Sequence, residues 1–389
     1  MRSNEPLVIE AAASWKRLQG CKQLWLEDLE SHHQQQFARR LEELMSYERQ
    51  QFLKAQPYER RPERVDQANG FYKRFQTVSF GTLEVKVPRT RSGRFQTKVL
   101  ERYQRRSKAV EAAIKEVFLS GVSTRQTGAA LADLLGERVS AGTVSQICKS
   151  LDEQVRQWHH RPLSDGYEYL LVDAVSVRIR LETGVKRRLA LCAFGITLKG
   201  QRELIDFQLA KTESEETWKI FLEDLYRRGL KGTRLKLVVS DGNLGIAKAL
   251  ASAWPRAPHQ RCWAHKLRNL ENKLKASQGD CLEEAKLIYQ AAHRKEAWQR
   301  FRAWEKKWTK EATKAVACLK EDLEELLAFF SCPKKRWKKI RTTNVIERLF
   351  VEVRRRIRTM CSFVNASSCD RILYSVFNRM NKKWKNALL

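Results

Sequence analysis

The sequence has 389 residues, 75 of them basic and 45 acidic, which leaves a net charge of +30 and an isoelectric point near 10.0. No apolar run approaches the roughly 20 residues that cross a bilayer, the amino terminus MRSNEPLVIE lacks a basic-then-apolar leader pattern, and nine cysteines scattered as singles argue against a disulfide framework. What remains is a folded protein of two or three domains, expected in a reducing compartment, whose field captures polyanions: nucleic acid first, an anionic membrane surface second.

Residues 10–56 read mostly as helix, interrupted by Pro57 and Pro62; a helical arm for dimerisation and a plain packed helix fit equally well. Alternation in TLEVKV and the glycines at 81 and 93 predict short strands with basic turns over 70–99. There Arg89, Arg91 and Arg94 are candidate phosphate contacts. Residues 107–155 predict three helices: one ended by Gly121, a second capped by Ser123 and stopped by Gly136, and a third running from Ser140 through DEQV. Short helices joined by a tight glycine-containing turn follow helix-turn-helix grammar. Arg125 on the second helix, and Thr143, Gln146 and Lys149 on the third, are the candidate DNA contacts.

From about 160 the pattern becomes α/β. YEYLLVDAVSVRIR, LALCAFGITL and RELIDFQLA predict an antiparallel meander, followed by a helix over 212–230, a strand LKLVVSDG, a helix NLGIAKALASAW and a short strand PHQRCWAH. Strands reached through helical crossovers return parallel, so the sheet should be mixed. Residues 266–332 are helical, charged and rich in tryptophan (Trp298, Trp304, Trp308), which suits core packing and, less often, stacking on bases. A last helix spans about 366–387.

Asp173 interrupts an apolar strand, where a carboxylate is costly unless paired or metal-bound. Asp241 ends another apolar strand, where open sheets gather ligands. If these strands are neighbours, the pair suits Mg²⁺ or Mn²⁺, and two such ions would steady the attacking and leaving oxygens at a phosphodiester. Singly, each acid has an ordinary reading, as a bulge or turn residue. Cys262 and His265 suggest zinc, but zinc takes four ligands, and Cys281, His293 and Cys318 are too irregular to complete them.

These stretches carry a resemblance. LLVDAVSVRIR, LKLVVSDGNLGIAKAL, HQRCWAHKLRNL and LLAFFSCPKKRWKKIRTTNVIERLFVEVRRRIR, with weaker likeness in VPRTRSGRF, YQRRSKAVEAAI and GVSTRQTGAALADLLGERVSAGTVSQI, resemble bacterial insertion-sequence transposases of the Mutator type, over roughly residues 80–380. The resemblance implies an RNase H-like mixed sheet core with an all-helical insertion, preceded by a helical region with the helix-turn-helix. It carries two-metal ligation, with Mg²⁺ or Mn²⁺, to Asp173, Asp241 and Glu347, and a C-x-x-H signature to Cys262 and His265. His265 would reach the phosphate or orient a carboxylate, with Cys262 in a structural role.

In RTTNVIERLFVEVRRRIR an apolar stripe (Ile346, Leu349, Phe350, Val353, Ile357) predicts a helix with Asn344 as N-cap and Glu347 in a capping box. Glu352 lies four residues from both Arg348 and Arg356 and reads as structural. Lys335, Arg336, Arg341, Arg348, Arg354 and Arg355 are further DNA candidates. The expected domains are a helical arm (1–62), a basic β segment (63–100), the helix-turn-helix (101–160), the first part of the core (161–265), the insertion (266–332), the end of the core with Glu347 (333–365) and a C-terminal helix (366–389). The expected activity is cleavage at terminal inverted repeats and joining to target DNA by a homodimer or larger assembly, without a membrane, in the bacterial cytoplasm on the nucleoid. The rivals are a nuclease that cuts without joining and a domesticated DNA-binding regulator.

Overall fold

The computed structural model describes residues 13, 15–16, 19–20, 22–360 and 362–385. The amino-terminal stretch read for a leader, Cys21, Cys361, the Ile357 side chain and the ends of the first and last expected domains lie outside the described residues. The chain forms two compact units, Met1–Ile147 and Cys148–Leu389.

In the first unit α1 (Lys22–Leu53) stops where Lys54 takes a left-handed φ of 54°, three residues ahead of Pro57. Strands β1 (Ala68–Val78) and β2 (Gly81–Thr90) pair antiparallel. β2 alternates buried and exposed residues, and its Leu83, Val85 and Val87 pack with Val78 against Leu41 and Met45 of α1. That span of α1 is therefore a packed helix.

Helix α2 (Lys108–Leu119) is capped by Ser107 and α3 (Thr124–Ala130) by Ser123, each side chain accepting a first-turn amide. The expected second helix is split at Leu131: α4 (Ala132–Leu135) is a separate turn closed by Gly136 at φ 66°. Helix α5 (Ala141–Lys149) starts with Thr143 N donating to Ser140 Oγ at 3.1 Å. A side chain at Gly128 would place Cβ 1.8 Å from the Val139 carbonyl oxygen, so only glycine lets α3 cross the entry to α5 this closely.

The expected third helix also ends early. Leu151 N turns back to Cys148 O at 3.1 Å, a tighter turn than the α-helix, and α6 (Asp152–His160) sets off separately. It belongs to the second unit, where Asp152 pairs with Arg371 at 2.9 Å and Trp158 meets Phe207 and Tyr374.

The second unit is built on five strands: β3 (Tyr167–Leu181), β4 (Gly184–Thr197), β5 (Arg202–Ala210), β6 (Leu237–Ser240) and β7 (His259–Arg261), in the order β5-β4-β3-β6-β7. The first three are antiparallel, whereas β6 runs parallel to β3 and β7 parallel to β6. The mixed sheet is as expected. One face buries Leu170, Val172, Leu191 and Val238 under α7 (Glu215–Arg227) and α8 (Leu244–Ala253), through Trp218, Phe221, Leu225 and Ile246. Burying side chains of that size stabilises by about 1.5–3 kcal/mol each.

The insertion is helical among its described residues: α9 (Trp263–Glu271), α10 (Gly279–Ile288), α11 (Arg294–Trp308), α12 (Thr313–Glu321) and α13 (Leu323–Leu326). Trp304 and Trp308 are buried in it, their indole N–H groups donating to Cys281 O and Glu284 Oε2 at 2.9 and 2.8 Å. They are core residues, and Trp298 is half-buried beside Phe301. After it come α14 (Trp337–Ile340), α15 (Asn344–Met360) and α16 (Ala366–Lys385).

Helix α16 lies along β5. Phe377 meets Phe207, Trp384 meets Phe194, and the buried Asn381 side chain accepts from Leu204 N at 2.8 Å and donates to Leu204 O at 3.0 Å. It stands in for the neighbouring strand that the sheet edge lacks. Asn381→Ala should leave both backbone groups unpaired and lower stability by about 2 kcal/mol, read as a reduced urea midpoint with an unchanged slope.

Candidate active site

The register of β3 against β6 aligns the two strand acids. Tyr169, Leu170 and Leu171 face Leu237, Val238 and Val239; two residues further, the same offset sets Asp173 level with Asp241, just after β6. Adjacent strands lie about 4.8 Å apart, so the two acids sit side by side where β6 ends, midway along β3. Asp241 Oδ1 accepts from Asn243 N at 3.0 Å, and Asn243 caps α8. Asp173 Oδ1 accepts from its neighbour Ala174 N at 2.8 Å.

Asp173 differs from every other buried acid among the described residues. Glu168 pairs with Lys236, Asp206 with Arg228 and His159, and Asp322 with Lys266 and Arg261. Asp173, only 8% exposed, has no ion pair. Burial, with the charge of Asp241 adding to it, pushes its carboxyl up to about 6 against the pull of His265.

Cys262 N donates to Ser240 O at 2.7 Å, the last sheet bond before the chain turns into α9. Cys262 and His265 were expected on a strand. Instead Cys262 is the buried residue ahead of the helix, and His265 sits in its first turn. The Cys262 sulfur accepts from Thr343 N at 3.2 Å and from Thr343 Oγ1 at 3.4 Å, and Thr343 also neighbours Asp173. The sulfur lies beside His265 without completing a hydrogen bond to the buried Nδ1, which has no partner. That sulfur and the carboxylates of Asp173 and Asp241 push the imidazole up to about 9, and the same proximity lowers the Cys262 thiol.

Glu347 arrives on α15. Its amide donates to Thr343 O at 3.1 Å, which makes Thr343, rather than the exposed Asn344, the residue that caps the helix. The Glu347 carboxylate lies 3.4 Å from Arg268 Nη2 and 3.9 Å from His265 Nε2. Both partners stand on one side of α9, three residues apart. Sequence reasoning missed Arg268 and Thr343, although both lie in stretches that carry the resemblance. It also missed Glu213, which burial and Asp241 push up and which receives the Trp218 indole N–H at 3.4 Å. Glu352 lies 3.8 Å from Arg355 on its own helix.

The acids offer hard oxygen donors suited to Mg²⁺ or Mn²⁺. Asp173, buried without an ion pair and level with Asp241, fits such an ion. Glu347 is engaged by Arg268 and His265, and among the described residues no three His, Cys, Asp or Glu side chains close on one position as a metal cluster.

The DNA candidates are scattered. Arg89 lies over the Tyr72 ring at 5.9 Å, Arg91 donates to Gln67 at 3.2 Å and Arg94 to Ser92 at 3.3 Å, all exposed beside β2. Arg125, Gln146 and Lys149 are exposed; Thr143 is half-buried, its hydroxyl 2.9 Å from Ser140 Oγ at the start of α5. Lys335, Arg348, Arg354 and Arg355 are exposed and Arg336 half-buried. Arg341 is turned inward, over the Tyr289 ring at 4.5 Å and donating to Tyr289 O.

The family model for the transposases of the Mutator family matches residues 17–387. The chain belongs to the Mutator family of transposases. Relatives in that family include the transposase for insertion sequence element ISRM5 of Rhizobium meliloti, 36% identical over 89% of this chain and 87% of the relative. Another is that for IS256 in transposon Tn4001 of Staphylococcus aureus, 36% identical over 88% of both chains. The transposase for IS406 of Burkholderia multivorans is 35% identical over the same shares. Among solved structures, the Drosophila P element transposase strand transfer complex overlays with a TM-score of 0.30 at 12% identity, covering 75% of this chain and 66% of that one, below the level of a shared fold. No helix among the described residues is long and apolar enough to cross a membrane.

The segment of Mutator transposase that carries Cys262 and His265 is locked to the insertion by Asp322, which binds Arg261 at 2.8 Å and the buried Lys266. Asp322→Ala should leave the Lys266 ammonium buried and unpaired, with a stability loss of about 3–5 kcal/mol in chemical denaturation.

Proposed function

We propose that this Mutator-family protein is the transposase of an insertion sequence, which binds the terminal inverted repeats of its element, cleaves DNA strands at the ends and joins them to target DNA. The observation that carries this reading is Asp173, among the described residues the one buried acid without an ion pair, in register with Asp241. A buried carboxylate beside a second one is a standing electrostatic cost that a divalent cation removes.

The sheet order, an antiparallel triplet extended by two parallel strands, supports the RNase H-like reading of 161–265 and 333–365 around the helical insertion 266–332. The close crossing of α3 over the entry to α5 supports a helix-turn-helix within 101–160. The exposed Arg125, Gln146 and Lys149 would meet the repeats, with the exposed arginines of 63–100 beside them, and residues 1–62 would bind DNA or a second subunit. Both ends of an element must be held at once, so a homodimer or larger assembly follows.

In the active site, Asp173 and Asp241 would hold the metal and Glu347 would complete the set. Two Mg²⁺ or Mn²⁺ ions held by these acids would supply charge stabilisation for the attacking and leaving oxygens of a phosphodiester. The chain's own residues do the rest. His265 carries positive charge among the acids, offsetting their repulsion and orienting Glu347. Cys262 fixes Thr343, whose carbonyl sets the start of α15 and so the height at which Glu347 is presented. Arg268 holds the Glu347 carboxylate at 3.4 Å.

One assay tests this: cleavage and joining of labelled element ends with Mg²⁺. Asp173→Ala, Asp241→Ala and Glu347→Ala should each lose about 1,000-fold or more while still binding the ends, and His265→Ala should lose about 10- to 100-fold. Near-full activity in any of the three acid variants would remove its assigned role. Cleavage without joining of pre-cleaved ends would favour the nuclease, and binding without either reaction the regulator.

A further inference from the structure

Four cations from separate segments of the second unit meet without an acid between them. Arg202 opens β5, Arg336 and Lys339 lie on the stretch leading to α15, and Arg348 is on α15 itself. The Arg336 guanidinium lies over the β4–β5 turn, where a Cβ on Gly200 would meet its Nη1 at 2.8 Å. Lys339 has Arg202 and Arg336 as charged neighbours, and Arg202 has Arg348. Burial, reinforced by those like charges, lowers both Arg202 and Lys339.

Arg202, Arg336 and Lys339 are half-buried, so they have given up part of their water. Among the described residues no acid forms an ion pair with any of the four. Elsewhere the same unit pairs half-buried arginines with acids, Arg161 with Glu203 at 3.6 Å, Arg228 with Asp206 and Asp224, Arg261 with Asp322 and Glu325, or lays one on a ring, as Arg341 on Tyr289. A fold that pairs its arginines in three places and leaves four cations crowded in another is arranged for an anion from outside.

We propose that Arg202, Arg336, Lys339 and Arg348 form a phosphate cradle that grips the backbone of a DNA strand beside the catalytic centre. Arg348 adjoins Glu347 on α15, which sets the cradle within a helical turn of the third acid. The proposal rests on the transposase reading and adds to it two residues, Arg202 and Lys339, that no pattern in the sequence marks. Guanidinium groups match phosphate oxygens in pairs, whereas Lys339 contributes a point charge.

The test uses the full-length protein, a duplex carrying the element's terminal repeat, and inorganic pyrophosphate as a separate probe. Arg202→Gln and Lys339→Gln should each weaken duplex binding about 10-fold and lower the slope of log affinity against log salt by about one. Arg202→Lys should recover most of the loss. Without any anion, thermal midpoints of the glutamine variants should equal or exceed that of the wild type, because repulsion has been relieved. Wild-type affinity and slope in both glutamine variants would overturn the cradle. So would lowered midpoints in anion-free buffer, which would make these cations structural. If the wild type itself ignores the duplex, the DNA reading falls. The cradle then stands only if pyrophosphate raises the wild-type midpoint and leaves that of Arg202→Gln unmoved, and it falls if pyrophosphate raises neither.

Discussion

The second unit is organised around a carboxylate that the fold has buried without an ion pair. Asp173 sits in the middle of a strand whose neighbours are apolar on either side, with a second acid held level with it on the next strand. Nothing in hydrophobic packing asks for this. The surroundings reduce the strain without removing it: a backbone amide, the Thr343 side chain and the charge on His265 all favour the ionised form, while burial and Asp241 oppose it. The helix bearing His265 and the Thr343 cap ahead of Glu347 both reach that residue.

Cys262 links these parts. Its amide finishes the sheet by bonding Ser240, its sulfur receives two donors from Thr343, and it stands beside His265. One small buried side chain thereby ties the end of β6, the start of α9 and the start of α15. As the pivot of three elements, it explains the fixed spacing to His265, which places the ring one turn into the helix.

Much of this was legible from the sequence. The long strand with Asp173 and the meander after it are written in alternating β-branched residues, and the mixed sheet follows from helices placed between strands. Ser107, Ser123 and Ser140 mark helix starts because a hydroxyl there satisfies an amide locally. The misreadings have physical causes. Helix breaks at Leu131 and after Lys149 carry no glycine or proline; they arise from how the short helices pack. Cys262–His265 looked like a strand because its apolar residues are buried, yet the chain turns once the bond to Ser240 is made. Asn344 looked like the cap, but Thr343 takes that place because Cys262 holds it there. The partners of Glu347, Arg268 and His265, lie far away in sequence on another helix, and Arg341 is turned onto Tyr289. Such pairings are invisible to local spacing.

The register between β3 and β6 has one more consequence. The acids contributed by these strands come from the first half of the unit, but Glu347 rides on a helix that follows the whole insertion. As the chain emerges during synthesis, the first unit and both aspartates exist well before the third acid does. On the proposed reading, the order of elements along the chain keeps the catalytic set incomplete until the insertion and α15 have followed.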